Sequence, residues 1–363
     1  MSKVLNSTPQ ADGFRMPGEH EPQEQVWMAW PVRKDNWRND ALPAQREFIN
    51  VATSIAQSTP VTFIVGAEHY QQARQAIPEH IRVIEIASND SWMRDIGATY
   101  VINDQGERRA NNWQFNAWGG TLDGLYDDWQ LDNEVANKMA TVTEDDTYNA
   151  PLILEGGSIH VDGEGTLFTT EECLLHPSRN PDLSKEQIKA LLKDYLNVET
   201  IIWLKEGLYN DETNGHVDNI MHVVRPGVVA LTYCDDEHDP QYAISQAAYQ
   251  TLSQSKDAKG RSLEIIKLPM PGPLFVSEQE AQNLNTSQFM ERQAGERLAA
   301  SYANFLVTNQ TVILPMLDER TDDQAKVILQ KAFPQHQIIG VSTRNILLGG
   351  GNIHCITQQV PKK

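Results

Sequence analysis

One thiol, one imidazole and three carboxylates carry the chemistry that this sequence can do. Cys355 stands in LLGGGNIHCITQQVP, behind three consecutive glycines, Gly349 to Gly351. Glycine lets the backbone take positive φ and approach a ligand closely. A cysteine in such a place can act as a nucleophile if it is accessible and can form thiolate. The same local context also describes a buried inert thiol at a strand start, the usual fate of a free cysteine. His216 and Asp218 lie in NDETNGHVDNIMHVV, ahead of a β-rich run. On a strand, positions i and i+2 face the same way, so both side chains are expected in one site. Asp95, in WMRDIG, is either a partner for Arg94 or a second acid of that site, and Trp92 beside it offers a ring face that favours cations. Glu155 precedes Gly156 and Gly157 and is either a turn residue or a third acid.

Other candidates read as structural. His160 and Asp162 repeat the His-x-Asp pattern, but Gly-Glu-Gly follows and marks a turn. Cys173 and Cys234 lack a glycine-rich setting. No cluster of Asp and His spans a spacing that would bridge two metal ions, and no phosphate or dinucleotide glycine motif is complete, so neither metal nor organic cofactor is expected.

The elements that must position these residues alternate in type. Val61–Val65, Ile81–Ile86 and Gly97–Ile102 read as strands, as do 201–204, 217–224, 228–233 and 337–341. Helices are expected over 183–196, with Ser184 and Gln187 as a capping box, and from Thr321, paired with Gln324, through Phe333. Strands alternating with helices imply an α/β chain. Gly156-Gly157-Ser158-Ile159-His160 also resembles Gly350-Gly351-Asn352-Ile353-His354, a hint of repeats. Asp95, Glu155 and His216 are spaced by 60 and 61 residues, and 139 separate His216 from Cys355. A repeated αβ unit of about 70 residues would supply one functional residue per unit, with one unit supplying none.

With 49 acidic against 30 basic residues, the net charge of -19 speaks against nucleic acid or an anionic membrane as partner. Such a surface would concentrate a cationic substrate. The 363 residues are 40% hydrophobic and 22% charged, the balance of a globular chain. MSKVLNSTPQADGF has no apolar signal core, no run of about 18 apolar residues occurs, and three scattered cysteines make no disulfide framework, so the cytoplasm is the expected compartment.

The motifs MPGEHEPQEQVWMAWPVRKDNWR, WMRDIG, FNAWGG, ILEGGSIHVDG, TNGHVDN, RLAASYANF and LGGGNIHCITQQVP are similar, in order, to those of the agmatine deiminases. The resemblance covers Met16 to Pro361 and implies a pentein fold, an α/β propeller of five pseudo-repeated ββαβ units around a central site. It implies an N-terminal tail over 1–15 and a single catalytic domain over 16–363. Carried over, it makes Cys355 the nucleophile, His216 the general acid and base, Glu155 the partner of His216, and Asp95 and Asp218 the guanidinium anchors. It implies no cofactor and a homodimer or larger homo-oligomer. Two carboxylates suit a planar guanidinium with its forked donors. Glu212 is then a candidate for the distal ammonium of agmatine, Trp92 and Trp118 for the walls around its alkyl chain, and Gly351 for close backbone contact. The acids of DETNGHVDN, with no base among them, favour an amine over arginine, whose carboxylate would want a cation. A deiminase for free or peptide-bound arginine, an amidinotransferase, and a non-catalytic pentein are the competing readings.

Overall fold

The computed structural model describes residues 2–282 and 292–363. Within them, five sheets repeat one scheme: an antiparallel strand pair whose second member leads through a helix into a parallel third strand. A parallel neighbour cannot be reached by a tight turn, so each unit needs its crossover. In the first unit Thr357–Pro361 pairs antiparallel with Gln23–Ala29, and helix Leu42–Ile55 leads to Val61–Val65. The second unit holds Thr99–Ile102, Arg108–Gln114, helix Val135–Val142 and Asp146–Ile153. The third holds His160–Val161, Thr166–Thr170, helix Lys185–Leu196 and Thr200–Leu204. The fourth holds Met221–Arg225, Val228–Tyr233, helix Gln241–Gln254 and Glu264–Pro269. The fifth holds Leu306–Val307, Thr311–Met316, helix Asp322–Ala332 and Gln337–Ser342. These are the five ββαβ units that the resemblance implies.

Local sequence explains the pieces. Val61–Val65 is buried at every position, as an interior strand covered on both faces must be. Helix Leu42–Ile55 starts with a proline in its first turn and buries Phe48, Val51, Ala52 and Ile55, one helical face. Helix Lys185–Leu196 has the expected capping box from Ser184 and Gln187, and Asn197, at φ 53°, ends it in the left-handed region. Thr321 behaves otherwise. It flanks helix Asp322–Ala332 but its side chain caps nothing, because the hydroxyl is engaged 2.8 Å from the Tyr302 hydroxyl.

Two further expectations need correction. The expected tail is 1–15, but among its described residues, 2–15, Val4–Leu5 adds a parallel strand to Asp146–Ile153, Arg15 bridges to Ile102, and Phe14 is buried. Nor is 217–224 one strand. Val217–Ile220 forms a helical turn, and the strand begins at Met221.

That helical turn is one of a set. Met93–Ile96, Gly156–Ser158 and Val217–Ile220 each precede the first strand of a unit, Asn304 lies two residues before Leu306, and the turn holding Cys355 precedes Thr357. The turns meet one another: the Arg94 amide donates to the Cys355 carbonyl at 3.1 Å, and the His354 amide to Asn304 Oδ1 at 2.9 Å. The site forms where they meet.

Candidate active site

Gly157 marks the centre of the convergence. A Cβ built there would lie 2.6 Å from His216 Nδ1 and 3.0 Å from both Asp218 Oδ2 and Asp95 Oδ1, so only glycine leaves room for the three together. Its amide donates to Asp95 Oδ1 at 2.8 Å. His216 and Asp218 thus do share a site, although the strand geometry expected of them is absent; His216 sits just before a helical turn and Asp218 in it. The loop ahead of them is held by Asp211, whose carboxylate accepts from the His216 amide and from Asn219.

His216 lies between two acids. Nδ1 is 4.0 Å from Asp95 Oδ2 and Nε2 is 3.8 Å from Glu155 Oε2. Burial favours neutral imidazole, but Asp95 and the side chains of Cys173 and Glu155 outweigh it and hold the pKa well above the ordinary histidine value. Glu155 is in turn oriented by Arg179, whose Nε donates to Oε1 at 2.7 Å within a wholly buried pair. Burial opposes ionisation of Glu155, yet Arg179 and His216 bring its pKa down to about 2. Asp95 goes the other way. Burial, with Asp218 and Glu155 adding repulsion, lifts it to about 6 against the pull of His216.

Cys355 is 6% exposed. Its Sγ is 3.1 Å from Asn304 Nδ2 and 3.7 Å from Asp218 Oδ2. Burial and then the charges of Asp218 and Asp95 push the thiol well above its ordinary pKa, so it stays protonated until a cation beyond His216 enters the site. One oxygen of Asp218 contacts the His354 imidazole at 2.7 Å. Glu155 Oε2, His216 Nε2 and Asp218 Oδ1 are buried with no hydrogen-bond partner among the described residues. Buried polar atoms without partners in one place are capacity for a ligand.

A pocket opens beside them, lined by Trp92, Asp95, Trp118, Glu212, His216, Gly351 and Cys355 among others. Trp92 is fixed through Asp90, which accepts its Nε1 at 3.0 Å and that of the neighbouring Trp37 at 2.7 Å. Trp118 donates to Asp95 Oδ2 at 2.9 Å and packs edge-on against Phe115 and Tyr126. It does so with φ at 61°, next to Ala117 at 55°. Such backbone costs about 1–3 kcal/mol per residue and persists where its surroundings enforce it. Gly351 has no room for a side chain, since a Cβ would meet the Trp92 ring at 2.6 Å and Sγ at 3.1 Å. Gly350, at φ 106°, lies against Glu212.

Glu212 is already partnered. Arg292 Nη2 donates to its Oε2 at 2.6 Å and to the Gly349 carbonyl at 2.8 Å. DETNGHVDN holds no Lys or Arg beside its acids, and the structure supplies a base from a segment 80 residues away. The reading of one unit as contributing nothing is likewise corrected, because Asn304 fills the place between His216 and Cys355. Arg179 and Asn304 were both missed. Asn304 stood within RLAASYANF without charge or nucleophile, so the gap of 139 was its only signal.

Chemically, the pocket can hold a planar cation between carboxylates, present its carbon to a thiol, and supply an imidazolium for proton transfer. Comparison with known proteins agrees. A relative from Marinomonas sp., provisionally assigned as an agmatine deiminase, is 76% identical over all of this chain and 98% of its own length. The agmatine deiminase of Enterococcus faecalis, solved while catalysing its reaction, is 48% identical with a TM-score of 0.97 and full coverage of both chains. A cysteine-to-serine agmatine deiminase from C. jejuni with substrate bound is 28% identical, with a TM-score of 0.83 over 96% of each chain. The model of the Porphyromonas-type peptidyl-arginine deiminases matches residues 15–361, and this chain belongs to that family.

Proposed function

We propose that the chain is an agmatine deiminase, a hydrolase converting agmatine and water to N-carbamoylputrescine and ammonia in polyamine metabolism. One observation carries the reading: a thiol, an imidazole and two carboxylates converge on a pocket walled by two tryptophans. In this reading Asp95 and Asp218 take the guanidinium in forked, charge-assisted contacts and turn its central carbon toward Cys355. The arriving cation offsets the acids that keep the thiol protonated, and the thiol loses its proton to solvent. Asn304 donates to the sulfur.

The thiolate then bonds to the central carbon, and His216, held as imidazolium by Asp95 and Glu155, gives its proton to the departing amino group. Ammonia leaves, and an S-alkylthiouronium remains on Cys355. Neutral His216 next takes a proton from water, whose oxygen bonds to the same carbon. Collapse breaks the C–S bond, the former water's remaining proton passes to solvent, and the neutral ureido product and thiolate are released. Trp92 and Trp118 line the alkyl chain, and Glu212 faces the distal ammonium. We place the enzyme in the cytoplasm as a homo-oligomer; among the described residues no helix is long and apolar enough to cross a membrane.

Intact-mass analysis of a quenched reaction tests the chemistry, with an amidino adduct on Cys355 as the expected result. No adduct in a turning-over enzyme overturns it. A second reading, an arginine deiminase, is favoured by Arg292 beside Glu212, which offers a guanidinium to a substrate carboxylate. Ammonia release from agmatine and arginine, side by side, decides between them; an equal or greater kcat/KM for arginine sinks the agmatine reading.

A further inference from the structure

His354 precedes the nucleophile in sequence, but its ring lies between two carboxylates. Nδ1 is 2.7 Å from Asp218 Oδ2 and Nε2 is 2.8 Å from Glu19 Oε2. A neutral imidazole has one N–H and one lone pair. It can donate to one ionised carboxylate, and the other contact would then oppose two lone pairs. Two contacts of this length call for protons on both nitrogens. Glu19 is itself anchored as an anion, accepting the Val307 amide at 2.8 Å, with Arg94 Nη2 3.5 Å from its Oε2.

We infer that His354 is held as an imidazolium by Asp218 and Glu19 together, and that it is a positioning residue which fixes one oxygen of Asp218 and leaves Oδ1 for the substrate guanidinium. The inference rests on the reading of Asp218 as a guanidinium anchor. Asp218 Oδ1 is the buried oxygen with no partner among the described residues. The Pro17–Glu21 segment thereby joins the machinery of a thiol more than 330 residues away.

The groups that face His354 favour this charge state on balance. Asp218 comes from the turn Val217–Ile220 and Glu19 from the N-terminal segment, and both attract a proton. Arg94, from the turn Met93–Ile96, donates Nε to the His354 carbonyl at 3.3 Å and opposes it. His160 stacks on the ring with centroids 4.9 Å apart, and His222 meets it edge-on at 5.2 Å. Burial drives both of these histidines toward the neutral form. Cys355 is the neighbouring residue. Burial and Arg94 depress the His354 pKa, yet the two carboxylates leave it raised. Nitrogens of His160, His222 and His354 also come within 4.8 Å of one another, the spacing of a metal site. With Arg94 alongside and both His354 nitrogens engaged, a proton is the better-matched cation.

Two measurements test the proposal. Nitrogen NMR of histidine-labelled enzyme, assigned by the loss of one resonance pair in His354→Gln, should show both His354 nitrogens protonated at pH 7.5 or so. A lone-pair nitrogen there in the folded wild type overturns the proposal. In Glu19→Gln one attracting carboxylate is gone, so His354 deprotonates at lower pH. KM for agmatine should then rise about tenfold at mildly alkaline pH, with kcat changed less than about threefold, and return toward wild type near pH 6. His354→Gln should raise KM by a similar factor without recovery at low pH. A KM that does not depend on pH in Glu19→Gln overturns the proposal, since a merely structural loss would not recover on acidification. Failure of the wild type to turn over agmatine would instead overturn the functional reading, while the NMR result still decides the charge of His354.

Discussion

The side-chain amide of Asn304 lies 3.1 Å from the sulfur of Cys355, and its carbonyl oxygen accepts the backbone amide of His354 at 2.9 Å. One neutral residue therefore sets both the position of the nucleophile's turn and the surroundings of its sulfur. Asn304→Ala should lower kcat about 10- to 100-fold, the loss of a hydrogen bond to a charged group, while agmatine still protects the protein against heat. Asn304→Asp should do worse, because a third nearby carboxylate raises the thiol pKa further. Its kcat/KM should rise with pH over a range shifted upward from wild type. An unshifted profile in Asn304→Asp would remove Asn304 from contact with the reacting sulfur.

Glu155 governs the charge of His216. With its pKa brought down to about 2, it is ionised throughout the working range, and His216, raised above the ordinary value, is protonated there. A group with a raised folded-state pKa loses its proton as pH climbs through that value. The alkaline fall in kcat should therefore report His216. Glu155→Gln removes part of the attraction and should move that fall at least about one pH unit lower. A kcat profile identical to wild type would mean that Glu155 does not tune His216.

Asp95 is held at a cost. Its pKa of about 6 in the fold, against 3.8 for the ordinary group, means that ionised Asp95 opposes folding. The penalty is absent below pH 3.8 or so, grows as pH rises, and is full above about 6 at up to about 3 kcal/mol. Asp95→Asn should abolish turnover and yet melt no lower than wild type at pH 8, with the difference shrinking toward pH 4. Lower stability at pH 8 would show that the bonds from Gly157 and Trp118 to this carboxylate outweigh its repulsion.

Gly351→Ala tests the close contact at the pocket wall. The added methyl meets Trp92 and the sulfur, and something must shift. Overpacking of this kind costs about 1–3 kcal/mol. The loss should fall on turnover and on adduct formation at Cys355, with melting lowered by no more than that amount. Normal adduct formation would show that the wall can yield.

The Glu212–Arg292 pair separates the substrate readings. Glu212→Gln should raise KM for agmatine about tenfold or more and leave small guanidines without a tail amine nearly unaffected. Arg292→Gln should keep agmatine turnover within about threefold, because the freed carboxylate still offers both oxygens to the ammonium. Loss of agmatine turnover in Arg292→Gln with intact melting would count against Glu212 as the ammonium partner.

Much of this was legible in the sequence because charge and spacing travel together. Two acids 60 residues apart, an imidazole 61 further on, then a thiol behind three glycines, follow from a unit that puts one turn ahead of each first strand. What escaped was neutral or distant. Asn304 carries no signature of its own, and Arg179 acts through Glu155 and through Thr213 and Asn214, in the loop ahead of His216. Arg292 comes from outside the motif that holds Glu212, so the acids of that motif looked unopposed. His354 was visible beside Cys355, but its meaning depends on Glu19, which only the folded chain brings within 2.8 Å. The residues 217–220 misled for a different reason: Val217, Asp218, Asn219 and Ile220 are too few to show whether the period is that of a strand or of a helical turn.

The pairing of Gln358 with Trp27 has a consequence for the order in which this protein comes into being. The strand that anchors the nucleophile's turn is synthesised after every other strand of the five units, and it closes a sheet whose other strands were made first. Four units can assemble from neighbouring sequence while the first waits, its edge at Gln23–Ala29 open. Deleting Thr357–Pro361 should leave four units intact but Cys355 without a fixed place. Joining that strand directly ahead of Gln23, in a rearranged chain, should turn a late closure into an early hairpin and speed the appearance of activity during refolding.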